Sequence, residues 1–182
     1  METRLDQLTK LAVLIRQRNE VETAITSIIG RPMALGHLGE YIAATIFNIR
    51  LEKSAAARAI DGVFRDGSLM GRTVNVKWYP KQENLLDITP AKLPDIYLVL
   101  TGPSSAAMSS RGLSRPWRFD TVFCFDAPKL VTALRKAGVK VGVAASVRRV
   151  FWDAAEIYPV QTSSLLPVSD EQRKLLALFA LD

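Results

Sequence analysis

Between residues 47 and 126 the chain holds five short runs of strand character: "FNIRLE", "AIDGVFR", "GRTVNVKWY", "DIYLVLTG" and "DTVFCFD". They are rich in β-branched and aromatic residues and are punctuated by Gly, Pro or Asp, which suits strands rather than helices. Strands need partners, so this stretch dictates a sheet. What precedes and follows it is periodic at three and four, so helices are the elements available to cover that sheet.

Residues 3 to 29 place Leu5, Leu8, Leu11, Ala12, Ile15, Val21, Ile25, Ile28 and Ile29 at helical spacing, and Gly30 and Pro32 stop the pattern. The spacing predicts one long amphipathic helix, or two with a break near Asn19. Its charged middle, "RQRNEVE", suits a solvated face or a pairing helix in a dimer. "GHLGEYIAATIFN", residues 36 to 48, predicts a second helix with Glu40 near its start, and Gly39, Ala43 and Ala44 allow close packing on a sheet. "APKLVTALRKAG" predicts a helix with Pro128 in its first turn and Gly138 at its stop. A short helix from Ser146 and a C-terminal one capped by Ser169 complete the set. The expectation is an α/β (α+β) sandwich, a central mixed sheet flanked by helices, in one domain spanning 1–182. It divides into an N-terminal helical extension (1–30), a core (36–160) and a C-terminal helix (161–182).

The Asp-Gly turn in "RDGSLMG" predicts an antiparallel hairpin that carries Asp61 on one strand and Asn75 and Lys77 on the next. Alternation sends Thr73, Asn75, Lys77 and Tyr79 to one face and Val74, Val76 and Trp78 to the other, which seeks the core. If the sheet is covered on both sides, Asn75 and Lys77 lie in a cleft, where a Lys requires an anionic neighbour and Asp61 is the nearest candidate. Divalent-metal hydrolysis of a phosphodiester needs such a set: a carboxylate on the cation, further hard oxygens, and a cation or base beside the attacking water. Asp61 supplies the first, the Asn75 side-chain oxygen and the Val76 carbonyl the second, Lys77 the last, and Glu40 an added ligand directly or through water. The same letters also describe a surface hairpin with one ion pair, worth at most ~1 kcal/mol when exposed.

Glu on an early helix, Asp on a strand, a turn, then an acidic or amide residue, any residue and Lys: through "GHLGE", "IDG" and "NVK" this order resembles the PD-(D/E)XK superfamily. More narrowly, "IIGRP", "GHLGEYIAA", "AIDGVF", "GRTVNVKWY", "DIYLVLTG" and "WDAAEIYP" resemble an uncharacterised bacterial group within it. The resemblance implies a restriction-endonuclease-like three-layer sandwich, Mg²⁺ or Mn²⁺ as cofactor, and cleavage or binding of nucleic acid, DNA ahead of RNA. The residues at matching positions are Glu40, Asp61, Asn75 and Lys77, with the Val76 carbonyl as a metal ligand. Asn75 departs from the usual Asp or Glu and brings an oxygen without a charge. The alternative is therefore an inactive nuclease-fold module that binds nucleic acid or a protein.

Net charge is +6, compatible with a polyanionic partner. Lys81, Arg111, Arg115 and Arg118 in loops, and Arg148 and Arg149 at a helix start, are the candidate phosphate contacts. His37, the only histidine, suits a cap or core edge better than a ligand set. Trp78, Tyr79, Trp117 and Trp152 are aromatic candidates for base stacking, with Trp78 assigned to the core. Glu83 and Asp87 read as solvated loop charges. Cys124 reads as a small buried hydrophobe. No apolar run reaches ~18 residues and the N-terminus lacks a signal-peptide layout, so the expected location is cytoplasmic. A purely structural protein dimerising through the N-terminal helix is the third reading.

Overall fold

The computed structural model describes residues 3–52, 59–104 and 116–180. The first helix, α1 (Arg4–Ile29), is continuous through Asn19. A capping box opens it, the Thr3 hydroxyl accepting from the Asp6 N–H while the Asp6 carboxylate accepts from the Thr3 N–H, and Gly30 closes it in the left-handed region (φ 68°). The next helix is α2 (Leu35–Ile46). Six strands then form one sheet: β1 (Ile49–Leu51), β2 (Gly62–Phe64), β3 (Thr73–Tyr79), β5 (Ile96–Thr101), β6 (Thr121–Asp126) and β8 (Glu156–Tyr158), in that spatial order. Only β3 and β5 run parallel, and the other neighbours are antiparallel. A two-stranded ribbon, β4 (Leu85–Leu86) with β7 (Ala145–Ser146), stands apart. The remaining helices are α3 (Ala127–Lys136), α4 (Arg149–Ala155) and α5 (Asp170–Ala177).

The sheet is covered on both faces, because its strands alternate between two apolar clusters. Val74, Val76 and Trp78 of β3 join Ile42, Ala43 and Ile46 of α2 and Leu176 of α5 on one side. Tyr97 and Val99 of β5 and Phe123 and Phe125 of β6 join α3, Trp152 of α4 and the β4/β7 ribbon on the other. The expected split of β3 is therefore found. Gly39 permits the close approach of α2: a Cβ there would lie 3.2 Å from the Trp78 Cβ.

Several expectations change. Ser146 does not open a helix; it pairs with Leu85 in the ribbon, and α4 begins three residues later with Arg148 as its cap. "EIYP" belongs to β8, which extends the sheet beside β6, because after Ala155 the chain turns extended at Glu156 (ψ 131°). Most of the 101–117 loop, including Arg111 and Arg115, lies outside the described residues. Among the described residues no helix is long and apolar enough to cross a membrane.

Candidate active site where β2 parts from β3

The β2–β3 ladder is short, with only Gly62–Val74 and Val63–Thr73 in register. Asp61 explains where it ends. Its N–H donates to the Val74 carbonyl (2.8 Å) and its carbonyl accepts from the Glu52 N–H (2.8 Å). One position on, the backbone of β2's lead-in no longer reaches β3, and Asp61 Oδ2 accepts the Val76 N–H at 2.7 Å. A side chain has replaced a ladder bond, and the two strands part around it. In an extended strand a residue's N–H and C=O point to the same side, so the Val76 carbonyl also faces the gap.

Asn75 is 8% exposed, and its Oδ1 is buried with no hydrogen-bond partner. A buried amide oxygen left without a donor costs on the order of 1–3 kcal/mol; among the described residues the Tyr97 and Thr101 hydroxyls and Arg118 Nε are buried without a partner as well. Lys77, two residues on, is half-buried; its Nζ lies 5.6 Å from the centre of the Tyr97 ring. That is a cation–π contact across the parallel β3–β5 pair. Among the described residues no carboxylate lies within ion-pair distance of Lys77, which differs from the partner expected in Asp61.

Glu40 reaches the same neighbourhood from α2, and its carboxylate is held by the Arg31 guanidinium from the turn between α1 and α2. "IIGRP" reads as a helix stop and as part of the resemblance above, but nothing in the spacing announces that Arg31 folds back on Glu40. The four charges act on one another. Burial pushes the Asp61 carboxyl up to about 6; the Val76 N–H opposes this, Glu40 reinforces it, and Lys77 and Arg31 oppose it. Burial likewise lowers the Lys77 ammonium, with Asp87 and then Asp61 pulling the other way.

The other candidates distribute unevenly. Lys81 follows β3 directly. The Arg118 carbonyl accepts the Trp78 Nε1–H (3.1 Å) and its guanidinium pairs with Asp120 (2.7 Å). Arg149 pairs with Asp153 (3.6 Å) and lines a cavity of about 120 Å³ with Gln82, Gly102 and Thr121. These three gather toward the C-terminal ends of β3 and β5. Arg148 is exposed at the start of α4. His37 Nδ1 faces the Pro32 carbonyl at 2.8 Å, a local cap. Trp152 is buried between Phe123 and Phe125 and is no stacking platform, whereas Trp117 is 45% exposed. Asp87 accepts the Ala144 N–H (2.7 Å) and receives Tyr79, so it braces the ribbon's loop rather than standing free in solvent. The Cys124 thiol is pushed up to about 12 by burial, which removes it as a nucleophile. A groove of about 830 Å³ runs along β1 between Tyr41 and Arg65, and its lining does not include Asp61. The shifted carboxyl lies instead in the β2/β3 gap, against Val76.

Among the described residues no three His, Cys, Asp or Glu side chains gather as a metal cluster. The hard oxygens around the gap are the Asp61 carboxylate and the Val76 carbonyl, with the Asn75 Oδ1 on the adjoining residue of β3 and the Glu40 carboxylate near enough to act on Asp61 electrostatically. That set fits a hard divalent cation that keeps several waters, at lower charge than a site with two or three ligating carboxylates. No protein-family model matches the chain, and no curated protein matches it.

Proposed function

We propose that the β2/β3 gap is a Mg²⁺- or Mn²⁺-dependent phosphodiesterase centre of PD-(D/E)XK type that hydrolyses DNA in the cytoplasm. The observations that carry the proposal are the buried, unpartnered Asn75 Oδ1 on β3 and the Asp61 carboxylate that accepts the N–H of the next residue, Val76. In this reading Asp61 and Asn75 hold the cation, with the Val76 carbonyl and Glu40 as further oxygens. When bound, the cation supplies Lewis acidity toward the phosphoryl oxygen. Lys77 positions the attacking water and donates to the developing negative charge, a task that a half-buried ammonium at the edge of the same cleft can perform. Lys81, Arg118, Arg148 and Arg149, with Arg111 and Arg115, contact the DNA backbone. The test is nicking of supercoiled plasmid with Mg²⁺ and with Mn²⁺. The wild-type chain cuts, and Asp61→Ala and Lys77→Ala do not; absence of cutting, or equal cutting by the variants, removes the proposal.

A second reading, a nuclease-fold module without chemistry, is favoured by two observations: an amide stands at position 75, and Arg31 occupies Glu40. It predicts a gel shift on DNA or RNA that weakens steeply with salt, with no cleavage.

A second copy of the chain is the further partner proposed, through α1. Residues 4–21 of this helix are exposed throughout, Leu5 at 72% and Leu8 at 63%, and the half-buried residues are confined to its last two turns. An antiparallel pair of such helices sets Leu8 against Ile15 and Asp6 beside Arg16 of the other copy. Light scattering at micromolar concentration should give twice the chain mass, and Leu8→Glu with Ile15→Glu should halve it. A monomeric wild type removes this part of the proposal.

A further inference from the structure

The charges at the gap balance in an informative way. Asp61, Glu40 and, facing Lys77, Asp87 bring negative charge against the two positive charges of Arg31 and Lys77. A divalent cation alone would leave an excess of positive charge in a half-buried cleft, which is costly. A cation together with a phosphodiester leaves less. One of these charges must yield, and the two members of the Arg31–Glu40 pair differ in how readily each can move. Glu40 has a side chain 17% exposed and stands on α2, which is pinned to the sheet by the Gly39–Trp78 contact. Arg31 has a side chain 40% exposed, on the turn between α1 and α2, with a long stem that can swing outward.

We infer that Arg31 is a latch on Glu40: its guanidinium holds the carboxylate in the ligand-free chain, and a bound phosphodiester draws the guanidinium away and releases Glu40 to the cation. The inference rests on the phosphodiesterase reading above. Guanidinium groups bind carboxylate and phosphate oxygens alike, so the exchange replaces the charge-assisted hydrogen bond from Arg31 to Glu40 with one or more to phosphate. Arg31 is then a positioning residue that couples nucleic-acid binding to cation binding. Cation affinity is low until a phosphate is present, and each ligand strengthens the other by the same factor.

The experiment is Mn²⁺ titration followed by electron paramagnetic resonance, without nucleic acid, on the wild type and on Arg31→Gln, Arg31→Lys, Glu40→Gln, Arg31→Gln/Glu40→Gln and Asp61→Asn. Arg31→Gln should bind Mn²⁺ roughly tenfold more tightly than wild type. Arg31→Lys, which keeps the charge, should remain close to wild type. The double variant should lose the gain and match Glu40→Gln. If Asp61→Asn abolishes Mn²⁺ binding but Arg31→Gln leaves it unchanged or weaker, the latch is wrong and the phosphodiesterase reading stands. If no variant binds Mn²⁺, or if Asp61→Asn binds it as wild type does, both fall.

Discussion

Asp61 Oδ2 accepts the Val76 N–H at 2.7 Å, a side-chain bond in the place of a sheet bond, and the geometry of the candidate site follows from that substitution. The bond holds the carboxylate against the strand that carries Asn75 and Lys77. It also keeps β2 from zipping onward along β3, which leaves the Val76 carbonyl and the cleft beside it open.

Burial of the same carboxylate, which the Val76 bond only partly offsets, sets a pH dependence. The Asp61 carboxyl lies near 3.8 in the unfolded chain and about 6 in the folded one, so between those values the native state binds more protons. Its contribution to stability is full below about pH 4, is lost as pH rises through about 6, and is constant above. Asp61→Asn, which can still accept the Val76 N–H, should therefore be more stable than wild type at pH 7 by up to about 3 kcal/mol, with a flatter profile between pH 4 and 6. Urea unfolding across that range measures it.

Cation binding should follow the same titration in the opposite sense. A metal ligand must be ionised, so Mn²⁺ affinity in the wild type should rise about tenfold per pH unit below 6 and level off above it. Calorimetric titration at pH 5, 6 and 7.5 checks the slope.

Asn75→Asp adds a second carboxylate beside Asp61. Without metal the like charges should destabilise the chain by about 1–3 kcal/mol; with Mg²⁺ that loss should reverse. Thermal melts with and without 5–10 mM Mg²⁺, about the scale of a weak hard-oxygen site, should give a larger metal-induced rise for Asn75→Asp than for wild type.

Much of the fold was legible because its signals are local. The capping residue Ser169, the Gly30 stop and the alternation of Val74, Val76 and Trp78 each act within a few positions. β8 and the β4/β7 ribbon were not legible, because strands of two or three residues carry too little pattern to separate from a turn, and their pairing is decided by what lies beside them. In the site, the order of Glu40, Asp61, Asn75 and Lys77 was readable. The hold of Arg31 on Glu40 and the place of Tyr97 under Lys77 were not, since both depend on how separate segments meet.

Gly62 follows Asp61 and lets β1 approach the gap: a Cβ there would lie 2.5 Å from the Arg50 carbonyl oxygen and 2.6 Å from Ile49 Cγ2. Gly62→Ala should cost about 1–3 kcal/mol by forcing the edge strand outward. Weakened amide protection in β1 and β2, with β5 and β6 unchanged, would locate the damage by hydrogen exchange.

The most direct measurement is anomalous scattering from crystals grown with Mn²⁺ at pH 7 or above. The account predicts a peak at roughly 2.0–2.6 Å from both an Asp61 carboxylate oxygen and Asn75 Oδ1. Crystals saturated with Mn²⁺ that show density elsewhere and none between these two residues would contradict it.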